Sequence, residues 1–336
     1  MTVADPHEPD SRSDIVAGTS LGAPADLAPT DLAGAEIDQE LAAELEGVPL
    51  VSTEPPARSQ WQLFRRRFFR HRLAVVGLVT LLLLYLAVFG ASIWVPENPR
   101  AQDVLAGTNP PSSEHWFGTD QIGRDYFARV IYAGQISLKI GLAVALISTA
   151  VGTLAGSLAG FFGRWIGQLL MRLTDLFLIV PAIAVLAIAL KKFGNTDSVI
   201  ILVLAGLGWM QVARVVRGQV LAVKEKEFVE SARAAGASNR RIIIRHVLPN
   251  CIGPIVVNAT LAVAAAIVAE STLSFLGFGV QKPQTSWGNL LYDAKGNVQF
   301  DTHLLYYPGL FILLTVLCIN FVGDGMRDAL DPQSKH

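Results

Sequence analysis

Six apolar runs, each long enough to cross a bilayer as a helix, divide this 336-residue chain. They fall at residues 73–95, 136–162, 169–190, 198–216, 249–278 and 304–322. Lipid cannot satisfy exposed backbone N–H and C=O groups, so these runs predict α-helices and an all-α polytopic membrane protein with six transmembrane helices. Just ahead of the first run, Trp61, Phe64 and Phe68 recur at helical spacing while Arg66, Arg67 and Arg70 lie around the other side. That pattern predicts an amphipathic helix over 60–72, lying in the membrane interface with its cations near anionic head groups.

The polar stretch between the fourth and fifth runs, about 224–249, holds the sequence ESARAAGASNRRIIIRHVLP from Glu230 to Pro249. It reads as two short helices meeting at a tight corner. Gly236 suits a left-handed position just past the first helix, where a β-carbon would be strained. Ser238 is placed to cap the second helix by accepting a backbone N–H, and Pro249 to mark the passage into the fifth run. An ordinary basic loop is the competing reading.

Composition agrees with the hydropathy pattern. The chain is 51% hydrophobic and 16% charged, too apolar for a soluble domain. Its net charge of −1 conceals an asymmetry: the first 60 residues carry twelve acidic side chains against Arg12 and Arg58. Residues 1–59 therefore read as a disordered acidic cytosolic tail, followed by the interfacial helix over 60–72 and a six-span domain over 73–336. The tail lacks the basic start and apolar centre of a secretory signal. Cys251 and Cys318 both fall in apolar runs, with no Cys or His at metal-ligand spacing, so no zinc site is expected.

Loop charge sets the orientation. The arginines before the first span place the N-terminus in the cytosol, and six spans return the C-terminus to that side. From 214 to 245 there are eight Lys/Arg against Glu225, Glu227 and Glu230, as a cytosolic loop requires; 96–135 holds five acids against three arginines, as suits the outside. Lys191 and Lys192 run against the rule. Gly152, Gly156 and Gly160 place three glycines on one face of the second span, where another backbone can approach closely. Pro181 should kink the third span or break one of its hydrogen bonds.

No phosphate loop, HExxH or nucleophile elbow is present, so the chain has no visible means of hydrolysing ATP or of other catalysis. The spacing of Glu230, Ala232, Gly236, Leu248 and Pro249 resembles the EAA loop of ABC importer permeases, with Ser231 and His246 departing from the pattern. Three further stretches resemble the C-type permease subunits of dipeptide/oligopeptide importers. These are HWFGTDQIGRDYFARVIYAGQIS at 115–137, AESTLSFLGFG at 269–279 with TSWGNLL after it, and NFVGDGMRDALDP at 320–332. The resemblance covers about residues 60–332. It implies a type I ABC importer permease fold whose EAA loop is the cytosolic coupling element. The same resemblance implies a second permease as heterodimer partner, two cytosolic ATPases and an extracytoplasmic substrate-binding protein. A di- or oligopeptide is the implied cargo, with nickel chelates, glutathione or haem as alternatives. No cofactor is expected in this chain itself, and ATP and Mg belong on the partner ATPases. Its surroundings are the lipid membrane, and nucleic acid is not an expected partner.

Two further sets of residues are candidates. Glu270 is a carboxyl inside an apolar run, a costly placement that often marks function. Counted from Pro249 it lies about 32 Å along a helix, so it is either a pathway or gate residue or a carboxylate at the outer interface. Asp175 and Asp324 pose the same choice at the cytosolic ends of their spans. Gly118, Thr119, Asp120, Gly123, Arg124 and Asp125 form either a folded outer turn or a docking loop for the binding protein. An ion-driven secondary transporter using Glu270 and a membrane-embedded enzyme are the rival classes; neither an inverted repeat nor an acid/base pair is visible.

Overall fold

The structure, a computed structural model, describes residues 60–95, 97–105, 107–179, 181–194, 196–296 and 299–330. The acidic stretch 1–59, read from sequence as a disordered tail, lies outside the described residues. Within them every regular element is a helix: α1 Gln60–Arg70, α2 Arg72–Phe89, α3 Ala91–Trp94, α4 Tyr126–Phe162, α5 Arg164–Ile179 and α6 Ala182–Phe193. Beyond these come α7 Asp197–Lys224, α8 Glu227–Ala234, α9 Asn239–Phe275, α10 Trp287–Ala294 and α11 His303–Leu330. Among the described residues there is no strand, only one antiparallel bridge between Thr119 and Asp125.

Five helices (α2, α4, α7, α9 and α11) are long and apolar enough to cross a membrane, and the bent pair α5–α6, counted as one span, makes six. The third span is not the single kinked helix expected. Its halves meet at 88°, because Pro181 has no N–H to donate and instead starts α6, its carbonyl accepting from Ala184 and Val185. The second span also differs, starting ten residues earlier than its hydropathy suggests. Asp125 caps it, accepting from the Ala128 N–H at 2.7 Å.

Small residues set the closest helix contact. Gly152, Gly156 and Gly160 of α4 receive Val212, Val216 and Val220 of α7, so the two helices run in the same direction with their backbones nearly touching. A β-carbon on Gly156 would stand 2.5 Å from the Ala213 carbonyl oxygen. On its other side the valine stripe of α7, continued by Val223, packs under Val229, Ile242 and Val247 of the hairpin. One row of side chains therefore links the interhelical seam to the polar loop.

The remaining helices enclose this pair. α9 packs on α4 and α11, and Trp287 at the start of α10 is wedged fully buried between them, its indole N–H donating to the Val130 carbonyl at 2.9 Å. Phe68 of the amphipathic α1 is buried against Ala74 and Ala329 rather than turned outward, while Trp61 stays largely exposed. Leu330 touches Gly253 early in α9, so α1 and the end of α11 lie on the same side as the hairpin. That agrees with an even number of crossings.

Candidate functional site

The hairpin forms because its two ends are built from opposite backbone rules. α8 starts after Lys226, whose extended backbone sets it off from α7, and it places Glu227 and Glu230 in its first turn, where the helix dipole favours negative charge. Val229 is its buried anchor, Ala232 is half-buried and Glu230 is exposed. At its C-terminus Gly236 has φ +79°, as its sequence position predicts. The Gly236 N–H donates to the Arg233 carbonyl and the Ala237 N–H to the Ala232 carbonyl, each at 3.0 Å. These two bonds close a Schellman motif, with Ala232 and Ala237 meeting on its apolar side. Ala232 thus serves the corner through its carbonyl as well as its methyl.

One expectation about the second half is corrected. Ser238 occupies the cap position, yet its hydroxyl makes no capping bond; its carbonyl accepts from Ile242 instead. The second helix passes directly into the fifth span. Asn239 through Phe275 is one continuous helix, widened into a π-turn over Ile243–Val247, where the Leu248 N–H donates to the Ile243 carbonyl. Pro249 sits exposed just past that turn and Leu248 is half-buried. A proline's missing N–H and bulky ring oppose an α-helical passage; the wider turn lets the helix continue through it. Arg240, Arg241 and Arg245 remain exposed along the hairpin.

The opposite end of the molecule holds a polar knot. Thr119, Asp120 and Asp125 are all buried. Asp120 accepts from the backbone of Ile122 and Arg124, from the Arg124 side chain at 2.7 Å and from Arg129. Thr119 bonds Gly107 and Asn109, each at 2.7 Å. Gly118 and Gly123 take positive φ where a β-carbon would also strike backbone oxygens of Asn109 and Asp103. These residues hold the loop together internally, and the buried side chains of Thr119, Asp120 and Asp125 serve the turn itself. Arg124 is partly exposed but committed to Asp120.

Beside the knot lies a meeting of side chains with no sequence signature, since its members are far apart along the chain. Glu97, His115 and Asp125 each bring one metal-ligating type of atom within 4.8 Å of the others. His115 Nδ1 lies 2.8 Å from Asp125, and Asp125 is also the α4 cap. Slight desolvation and then the Asp125 carboxylate push the carboxyl of the exposed Glu97 above its ordinary value, with His115 opposing. A carboxyl raised in the folded state holds its proton to higher pH than in the unfolded chain, so stability falls as pH rises through that window. Glu97→Gln removes this loss. The variant should melt slightly higher than wild type at pH 7 and equally at pH 4, read by thermal unfolding of the purified protein.

Glu270 is not a solvent-exposed carboxylate. It is fully buried where α4, α9 and α10 converge, accepting from Ser137 at 3.2 Å and Ser274 at 2.7 Å. Ser137 also accepts the Trp287 backbone N–H at 3.1 Å. Counting along the helix yields its depth but not the cover that α10 provides. Glu270 therefore ties three helices together and faces no described cavity.

Sequence comparison with known proteins points to one family. Residues 152–336 match the family described as binding-protein-dependent transport system inner membrane component. Residues 59–111 match the N-terminal transmembrane domain of oligopeptide transport permease C. The chain is 43% identical over 284 residues to the oligopeptide transport system permease protein OppC of Escherichia coli K12, covering 84% of this chain and 94% of that protein. To the protein of the same name in Mycobacterium tuberculosis H37Rv it is 40% identical over 279 residues, covering 82% and 96%. A solved structure of the MetNI methionine ABC transporter in an inward-facing conformation aligns at 18% identity and a TM-score of 0.47, over 60% of this chain and 98% of that one.

Proposed function

The chain belongs to the binding-protein-dependent transport system inner membrane components, and on that premise we propose that it is the C-type permease subunit of an ATP-driven importer of di- or oligopeptides. Membership makes it a multi-pass membrane permease and not itself an enzyme. The relatives' names supply the peptide. The heterodimer partner, the extracytoplasmic binding protein and the two ATPases carrying ATP and Mg are part of the proposal. So is the placement in a bacterial plasma membrane with both termini and the hairpin in the cytosol.

The observation that carries this reading is the Schellman-closed hairpin. It is a rigid corner, apolar beneath and polar above, and it is continuous with a transmembrane helix through the π-turn. A partner bound to its outer face moves α9 directly and α7 through the valine stripe. ATP hydrolysed elsewhere can thereby reach the spans.

The test is reconstitution of the complex that co-purifies with this chain, with ATP and ion gradients varied separately. Uptake of short peptides that needs ATP and survives collapse of ion gradients supports the proposal. Gradient-driven uptake without ATP overturns it. Reversing Arg66, Arg67 and Arg70 to Glu is expected to lower the amount of correctly inserted protein severalfold, since cations beside the first span bias its orientation. Protease accessibility of the hairpin in intact cells reads that out. Normal insertion would count against the assigned sidedness.

A further inference from the structure

Between α4, α5, α6, α7 and α9 lies a cavity of about 450 Å³. Its polar groups are Ser148, Gln211 and Asn258, one each from α4, α7 and α9, and none is ionised; Gly208 and Ala265 leave room beside them. Uncharged carboxamides both donate and accept, so they can exchange hydrogen bonds with any peptide backbone whatever its side chains. The Gln211 side chain is exposed to this space.

The cavity ends toward the hairpin at Leu178 on α5 and Gln211 on α7. One helical turn farther in that direction on each helix stand Asp175 and Arg214, and their side chains form an ion pair between α5 and α7. Both are about half exposed. Counted along their helices, each lies roughly 15 Å from the hairpin-side end. An ion pair this exposed is worth about 1 kcal/mol or less, enough to bias a closed position and small enough to be broken. The joint they close lies between α7, which carries the hairpin's valine stripe, and α5, which ends at the 88° corner.

Building on the reading of this chain as a peptide permease, we propose that the cavity holds the substrate backbone during passage and that the Asp175–Arg214 pair is its gate on the hairpin side. At rest the pair bridges α5 and α7 across the exit. Displacement of α7 by the docked ATPase parts the two side chains and opens the way past Gln211.

The complete transporter in vesicles, with a Gln211→Cys reporter in this chain, tests the gate. A membrane-impermeant maleimide is applied from the ATPase side without nucleotide; Cys251 and Cys318 are buried and serve as internal background. Asp175→Asn or Arg214→Gln should raise reporter labelling about fivefold or more over the reporter alone, because the pair no longer biases the closed state. Exchanging the charges, Asp175→Arg with Arg214→Asp, should return labelling to the resting level. Single variants that fail to assemble, beside an exchanged pair that assembles and labels slowly, also support the gate. Unchanged labelling on neutralisation overturns it, as does rapid labelling in the exchanged pair. Failure of single and exchanged variants alike to assemble would make the pair a strut and likewise overturn it. Peptide uptake by the wild-type complex is measured in parallel with short alanine peptides. No uptake there defeats the permease reading itself, whereas normal uptake with an unresponsive reporter defeats the gate alone.

Discussion

Gly236→Val is expected to leave the protein inserted and assembled while cutting ATP-driven uptake at least about tenfold. At φ +79° a residue with a β-carbon is strained by about 1–2 kcal/mol. No atom lies within 4 Å of where that β-carbon would go, so the whole effect is on the backbone and none on packing. Relief of the strain opens the two Schellman bonds from Gly236 and Ala237, and α8 loses its fixed angle to α9. The spans do not depend on that angle; whatever seats on the hairpin does. Glu230→Lys should produce the same phenotype by another route, since it reverses an exposed charge without touching the fold. Both variants are compared with wild type for expression, co-purification with partner subunits and substrate-stimulated ATP hydrolysis. Coupling at wild-type level in both would remove the hairpin from the mechanism.

The largest effect on stability should come from Gly156→Leu. Its β-carbon would stand 2.5 Å from the Ala213 carbonyl oxygen and 2.8 Å from Val216 Cβ, with neither able to retreat because both belong to helices packed along their length. The rest of the leucine side chain must then separate α4 from α7. Overpacking by a single small group costs about 1–3 kcal/mol, and a whole isobutyl group at a backbone contact should exceed that range. Loss of folded protein in detergent is the expected result. Gly206 on α7 is the control: nothing lies within 4 Å of its β-carbon position, so Gly206→Ala should be neutral or slightly stabilising, since alanine is the better helix former. Equal melting temperatures for Gly156→Leu and wild type would show that the seam is loose.

Features governed by local backbone rules are legible in the sequence itself. Six apolar stretches, the glycine face at 152, 156 and 160, and the left-handed corner at Gly236 each follow from a residue type meeting a steric or solvation limit. What escapes such rules depends on what covers a residue. Residue spacing places Glu270 at the right depth, but only the tertiary fold brings Ser137 and α10 over it. The glycines and aspartates after His115 suggest an outward-facing loop; they are instead consumed by their own turn, because Arg129, one turn into α4, supplies Asp120 with a buried counter-charge. Pro181 announces a break but not a right angle. Asp175 stands out in the sequence by its charge alone, since its partner Arg214 is 39 positions away and the cavity beside them is built from five helices.

The π-turn at Ile243–Val247 has a consequence for length variation. Such a turn holds one residue more than an α-turn, so Ile242 and Val247, five apart, share the buried side that four-residue spacing would otherwise provide. The helix thus contains a spare residue whose removal keeps the hairpin and the span in angular phase. A deletion of one position between Ile243 and His246 should therefore be accommodated by rewinding to plain α-helix, whereas the same deletion anywhere from Ile255 to Ile267 would turn everything on one side of it by about 100° against its neighbours. What the rewound helix would lose is clearance for the Pro249 ring against the carbonyl one turn back. Length tolerance and proline accommodation are drawn from the same single residue, and the chain can use it for only one of them at a time.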